Sequence, residues 1–201
     1  MPTIDLSSGV WEAARLNASE FCTNQNNASS PAGLDDPASG ARIEMEVGLM
    51  KMGRADLGQG LVNTLTIAPI RCDAQTNTPI PRAVMRVILP SAQGFINFKL
   101  LTFKPATVNI TFFADLARTQ VVAQISRTYT ADGQNRTVEF SRVCEAARVV
   151  SIDVPEAALR GELQSVHFDI ARRLMGRLLL VKAIYCVIAR FLDRISWRFG
   201  G

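Results

Sequence analysis

The chain is expected to be mainly β: an antiparallel β-sandwich of about seven or eight strands, jelly-roll-like, with a short helix before it and a long basic amphipathic helix after it. Three observations predict this. From residue 41 apolar side chains recur at every second position, as in Ile43, Met45, Val47 and Leu49 alternating with Glu44 and Glu46. Turn-forming Gly, Pro, Asn and Asp then recur at intervals of roughly 8 to 14 residues, a sandwich or barrel rhythm. Beyond residue 154 the period lengthens towards that of a helix.

The first 21 residues form an expected N-terminal helical arm. Ser7 and Ser8 precede Val10, Trp11, Ala14 and Leu16, and Glu12 stands in the first turn, where it favours the helix dipole. Residues 22–40, rich in Asn, Ser, Pro, Gly and Asp, have the composition of a polar, mobile linker.

The β-sandwich domain is expected over 41–153. After the strand carrying Ile43 to Leu49, candidate strands run over 61–70, 83–89, 95–103, 107–113, 121–129, 137–143 and 148–152. Pro69, Pro79, Pro81, Pro90 and Pro105 fall near strand ends, where a missing N–H does little harm. Asp132 and Gly133 suit a tight turn, so 121–129 and 137–143 are expected to pair as a hairpin. Asp153-Val154-Pro155-Glu156 reads as a cap, a first-turn proline and a capping-box glutamate, which starts the final helix over 154–199.

That last segment concentrates the charge. Residues 172–198 hold seven basic side chains, Arg172, Arg173, Arg177, Lys182, Arg190, Arg194 and Arg198, against Asp193 alone. At 100° per residue the apolar face is Leu174, Leu178, Val181, Tyr185, Ile188, Leu192 and Ile195, while most of the arginines gather opposite. Lys182 interrupts the apolar run, which is too short for the ~20 residues that span a bilayer. Three uses of the helix stay open. Its apolar face docks on protein, or it lies on an anionic membrane with Trp197 at the interface, or its arginines bind nucleic acid or another polyanion.

No nucleotide-binding, nucleophile-elbow or zinc-ligand spacing occurs, so no cofactor, metal or small-molecule substrate is inferred. The lone histidine, His167, is expected within the final helix as a structural or surface residue. Glu44 with Glu46, and Asp35 with Asp36, are read as solvated carboxylate pairs, and Asp115 as a turn residue closing a strand.

Cys22, Cys72, Cys144 and Cys186 are too scattered for a metal or redox pair and are read as free thiols. The N-terminus has no basic region followed by an apolar stretch, so a cytoplasmic setting is expected, peripheral to a membrane or within a virion. On that expectation the acceptor motifs at Asn17, Asn27, Asn109 and Asn135 reflect Asn and Ser/Thr enrichment in turns and on strand faces.

The implied role is a non-enzymatic structural or assembly protein that self-associates and attaches through its basic helix. A peripheral membrane-binding module and a nucleic-acid-binding protein of coat or movement type are the alternatives. Arm, sandwich and basic appendage resemble the organisation of viral capsid and movement proteins, a likeness of architecture that no residue motif carries.

Overall fold

The computed structural model describes residues 3–22, 32–56, 60–70, 78–102, 106–129, 136–142, 145–155 and 161–169. In chain order the elements are β1 (Thr3–Ile4), α1 (Gly9–Leu16), β2 (Glu20–Cys22), β3 (Gly33–Asp36), β4 (Ala41–Val47), β5 (Leu49–Asp56), β6 (Leu61–Ala68), β7 (Arg82–Gln93), β8 (Phe95–Thr102), β9 (Ala106–Phe113), β10 (Val121–Tyr129), β11 (Arg136–Ser141), β12 (Ala147–Pro155) and β13 (Gly161–Asp169). One sheet runs β11-β8-β13-β6-β5-β2, with β1 added to β13; the other runs β10-β9-β12-β7-β4-β3. Neighbouring strands pair antiparallel in both sheets. The molecule is therefore an antiparallel β-sandwich.

Period-two alternation builds its core. Ile43 and Met45 of β4, Met85 and Val87 of β7, Val108, Ile110 and Phe112 of β9, and Val150, Ile152 and Val154 of β12 point inward from the six-stranded sheet. They meet Met50, Leu65, Ile67, Phe98 and Leu100 in one cluster with the seven-stranded sheet, and Phe112 stacks on Phe140 with ring centroids 4.7 Å apart. Helix α1 covers one part of this core with Trp11 and Ala14.

Several expectations are corrected. Residues 43–49 are not one strand: β4 and β5 belong to different sheets, and Gly48 between them adopts φ +95°, a conformation that lets the chain cross over. The expected hairpin of 121–129 with 137–143 does not form. β10 pairs with β9, whereas β11 pairs with β8 in the opposite sheet. Asp132 and Gly133 lie outside the described residues. Part of the expected linker is also structure: Gly33–Asp36 pairs with β4, and Asp36 is buried, accepting the hydroxyl of Ser39.

The final helix does not begin at Asp153. Asp153, Val154 and Pro155 complete β12, where Asp153 stands opposite both Val84 and Asn109. Pairing with a strand on each side outweighs a capping signature that is only a local preference. Residues 161–169 form β13, so His167 belongs to a strand and pairs with Thr3 and Asn97. Residues 156–160 and 170–201 lie outside the described residues, as do 23–31. No helix among the described residues is long and apolar enough to cross a membrane.

Pro90 sits inside β7 rather than at its end. The register slips there, from Ile88 opposite Val149 to Gln93 opposite Ala147, so the proline occupies an interruption in the ladder. The thiol expectation is corrected at Cys22, which is disulfide-bonded and buried beside Leu49 and Ile70. Its partner cysteine lies outside the described residues.

Candidate interaction surface on the six-stranded sheet

The outward side of the six-stranded sheet has two halves. On β3, β4 and β7, charged residues occupy the positions between core residues, so alternation alone sets them side by side. Arg42 donates to Asp35 at 2.8 Å and to Glu44 at 2.9 Å. Arg86 approaches Glu44 at 3.5 Å and holds Glu46 at 2.6 Å. Arg118, from the β9–β10 loop, also donates to Glu46 at 2.8 Å. Signs alternate along the series Asp35, Arg42, Glu44, Arg86, Glu46, Arg118, which is charge-neutral. Partial burial pushes the Glu46 carboxyl up, but hydrogen bonds and charge from Arg86 and Arg118 outweigh it and hold the group below the usual range.

The Arg118 contact defines a strap. β12 and β7 separate β9 from β4, a distance of three strand spacings or about 14 Å. One arginine side chain does not span this, so the loop itself leans over the sheet. Asp115 organises it, accepting from the Thr119 hydroxyl at 2.6 Å and from the backbone N–H groups of Thr119 and Gln120 at 3.0 and 3.1 Å. The Thr119 hydroxyl and the Gln120 amide lower the Asp115 carboxyl. Asp115 is thus the turn residue expected from the sequence. Val84 and Val149, on strands β7 and β12 of this sheet, are buried, at 3% and 1% exposure.

The other half is uncharged. Thr107 and Asn109 of β9 stand opposite Thr128 and Ser126 of β10. The threonine hydroxyls are 3.0 Å apart, and the Ser126 hydroxyl donates to Asn109 Oδ1 at 2.9 Å. Gln124, Thr111 and Ser151 continue this strip of hydroxyl and amide groups onto β12. β10 closes the sheet, with no strand on its outer side among the described residues. Most of it is exposed.

The carboxylates singled out in the sequence are therefore engaged. Glu44 and Glu46 bridge arginines rather than standing solvated, Asp35 pairs with Arg42, and Asp36 caps Ser39. No group of three or more His, Cys, Asp or Glu able to hold a metal occurs among the described residues. The basic residues Arg172, Arg173, Arg177, Lys182, Arg190, Arg194 and Arg198, with Trp197, lie outside the described residues. So does the apolar series Leu174, Leu178, Val181, Tyr185, Ile188, Leu192 and Ile195. Sequence reasoning missed Arg86 and Arg118, whose sole signal was an arginine on an alternating strand and another in a loop after a turn-forming Asp.

Fold and surface together define a mainly antiparallel β-sandwich protein. No protein-family model and no curated protein matches the sequence. Among solved structures, the chain is similar to the K1 cleaved adhesin domain of Lys-gingipain from Porphyromonas gingivalis W83, at 14% identity and TM-score 0.44, covering 69% of this chain and 93% of that one. It is also similar to the module TmCBM61, solved with β-1,4-galactotriose, at 10% identity and TM-score 0.41 over 65% of this chain and 90% of that one. A third is the lectin domain of lectinolysin complexed with Lewis B antigen, at 14% identity and TM-score 0.39 over 54% of this chain and 72% of that one. Likenesses at this distance assign no ligand to the present chain.

Proposed function

We propose that the chain is a non-enzymatic assembly protein, jelly-roll-like in its connectivity, whose sandwich associates with a second copy edge to edge through β10. The observation that carries this reading is the long β10 edge, which has no strand on its outer side among the described residues. Natural sheets blunt long edges with lysine, proline or very short strands. β3 and β2, at the far ends of the two sheets, have four and three residues. β10 has nine, contains neither lysine nor proline, and carries one charge, Arg127.

Antiparallel pairing about Ile125 sets Ala123 opposite Arg127 and Gln124 opposite Ser126, so no like charges meet across the join. Two six-stranded sheets would then continue into one another. Hydrogen bonds of the added ladder supply attraction, and the half-buried Val122 and Ile125 extend the apolar layer across it. The basic residues 172–198 are proposed as a separate attachment, to an acidic protein, an anionic membrane or a polyanion.

Sedimentation equilibrium of the full chain tests the edge. The expected result is a species of about twice 22.0 kDa that the pair Gln124→Lys and Ser126→Lys, which sets lysines face to face, converts to monomer. A chain that is monomeric throughout, or a dimer lost only when Leu178, Ile188 and Leu192 are made polar, would sink the edge reading.

A further inference from the structure

Four Asn-X-Ser/Thr motifs occur among nine asparagines, at Asn17, Asn27, Asn109 and Asn135, where roughly one is expected by chance. Two of the four asparagines are described, and both are exposed. Asn17 caps the C-terminal end of α1, its backbone N–H bonded to the Ala13 carbonyl at 3.0 Å while its side chain projects at a surface corner before Ala18 at φ +49°. Asn109 projects from the outward side of β9. Its Oδ1 accepts from Ser126, which leaves Nδ2 without a hydrogen bond among the described residues. Thr111, two residues on, lies on the same side of the strand. Asn63, by contrast, is buried, donates to the Leu6 carbonyl and to Glu12, and stands in no such motif.

The disulfide at Cys22 is an independent observation. Cys22, at the end of β2 opposite Leu49 of β5, is itself buried at 3% exposure, and such bonds persist in oxidising compartments, including the one in which oligosaccharides are transferred to asparagine. That bond reports on redox setting more directly than the composition of the first residues, from which a reducing cytosol was expected.

We propose that Asn17 and Asn109 are N-glycan acceptors, filled as the chain matures in an oxidising secretory compartment. In the transfer, Nδ2 attacks C1 of the first sugar of a polyprenyl-diphosphate-linked oligosaccharide. The new N–C1 bond replaces the C1–O bond, the diphosphate departs with that electron pair, and one amide proton is lost. A glycan on Asn109 keeps the outward side of the six-stranded sheet solvated and leaves the β10 edge, which lies in the plane of the sheet, open. The assignment does not depend on edge pairing.

The full chain, produced through the secretory pathway of a eukaryotic host, is digested with peptide:N-glycosidase F in ¹⁸O-water and mapped by mass spectrometry, without reduction. The expected result is ¹⁸O-labelled Asp at positions 17 and 109, loss of one glycan in each of Asn17→Gln and Asn109→Gln, and a Cys22 peptide linked to another cysteine peptide. An unmodified Asn17 or Asn109 peptide overturns the assignment of that site. Free alkylation of Cys22 in the unreduced chain overturns the compartment on which both rest.

Discussion

At the scale of single residues, Asn63 and Glu12 tie the N-terminal arm to the sandwich. The Asn63 amide donates to the Leu6 carbonyl at 2.9 Å and to Glu12 at 2.7 Å, while its oxygen accepts from Arg54 at 3.1 Å. Glu12 also takes a hydrogen bond from Arg15 at 2.8 Å. The Arg15 bond, and then that from Asn63, hold the Glu12 carboxyl at about 2 against an ordinary 4.5. An acid lowered on folding stabilises the fold above its unfolded value and loses that contribution as pH falls through the folded one. The attachment of α1 is therefore expected to weaken between pH 4.5 and about 2. Trp11 fluorescence, read in a Trp197→Phe background, should report a transition in that window that Glu12→Gln removes.

Gly48 is a second residue on which the fold turns. At φ +95° a side chain is strained, and a Cβ there would lie 2.8 Å from the Ala68 carbonyl oxygen and 2.9 Å from Ala83 Cβ, both on ordered strands. Gly48→Ala is expected to cost about 1–3 kcal/mol, measurable by urea unfolding. A neutral substitution would mean that the β4–β5 crossover is looser than drawn.

At the scale of elements, the β9–β10 loop behaves as a strap with two fastenings. Asp115 shapes its base and Arg118 reaches Glu46. Arg118 itself stands at φ +59°, so its contact is made from a conformation that non-glycine residues seldom adopt. Because both partners are partly solvated, Arg118→Ala should change stability by less than about 1 kcal/mol. Amide exchange over residues 114–120 should nevertheless accelerate while that of β9 and β12 stays slow. Unchanged exchange would show that Asp115 alone holds the loop. The element-level errors in reading the sequence have the same origin as this strap: they concern partners. Asp132-Gly133 is compatible with a hairpin and Asp153-Val154-Pro155-Glu156 with a helix start, but neither signature reports which strand lies alongside.

At the scale of the whole molecule, the two sheets are coupled by residues such as Phe112 and Phe140, whose rings stack at an interplanar angle of 21°. One comes from each sheet, so truncating either opens a void between the layers. Phe112→Ala is expected to cost about 3–5 kcal/mol and to lower the midpoint of one cooperative transition. Separate melting of the two sheets would contradict a shared core.

Composition and alternation were sufficient to establish that this chain is a β-sandwich, because burying one side of each strand imposes a two-residue period that is visible without coordinates. Seven candidate strands were legible for this reason, as was Asp115 as a turn residue, whereas the expected strand over 43–49 merged β4 with the start of β5. The short strands β1, β2 and β3 left too few alternating positions to be seen, and β13 carries Ser165 and His167 where a strand pattern would have been plain. The pairing of strands was decided only in the tertiary structure. Gly48 sends β4 and β5 to opposite sheets, β10 and β11 part company, and Arg118 meets a glutamate 72 positions earlier in the chain. Periodicity is a local property that each strand pays for by itself, whereas register and sheet membership depend on contacts between distant segments, whose energies appear only once the chain has closed on itself.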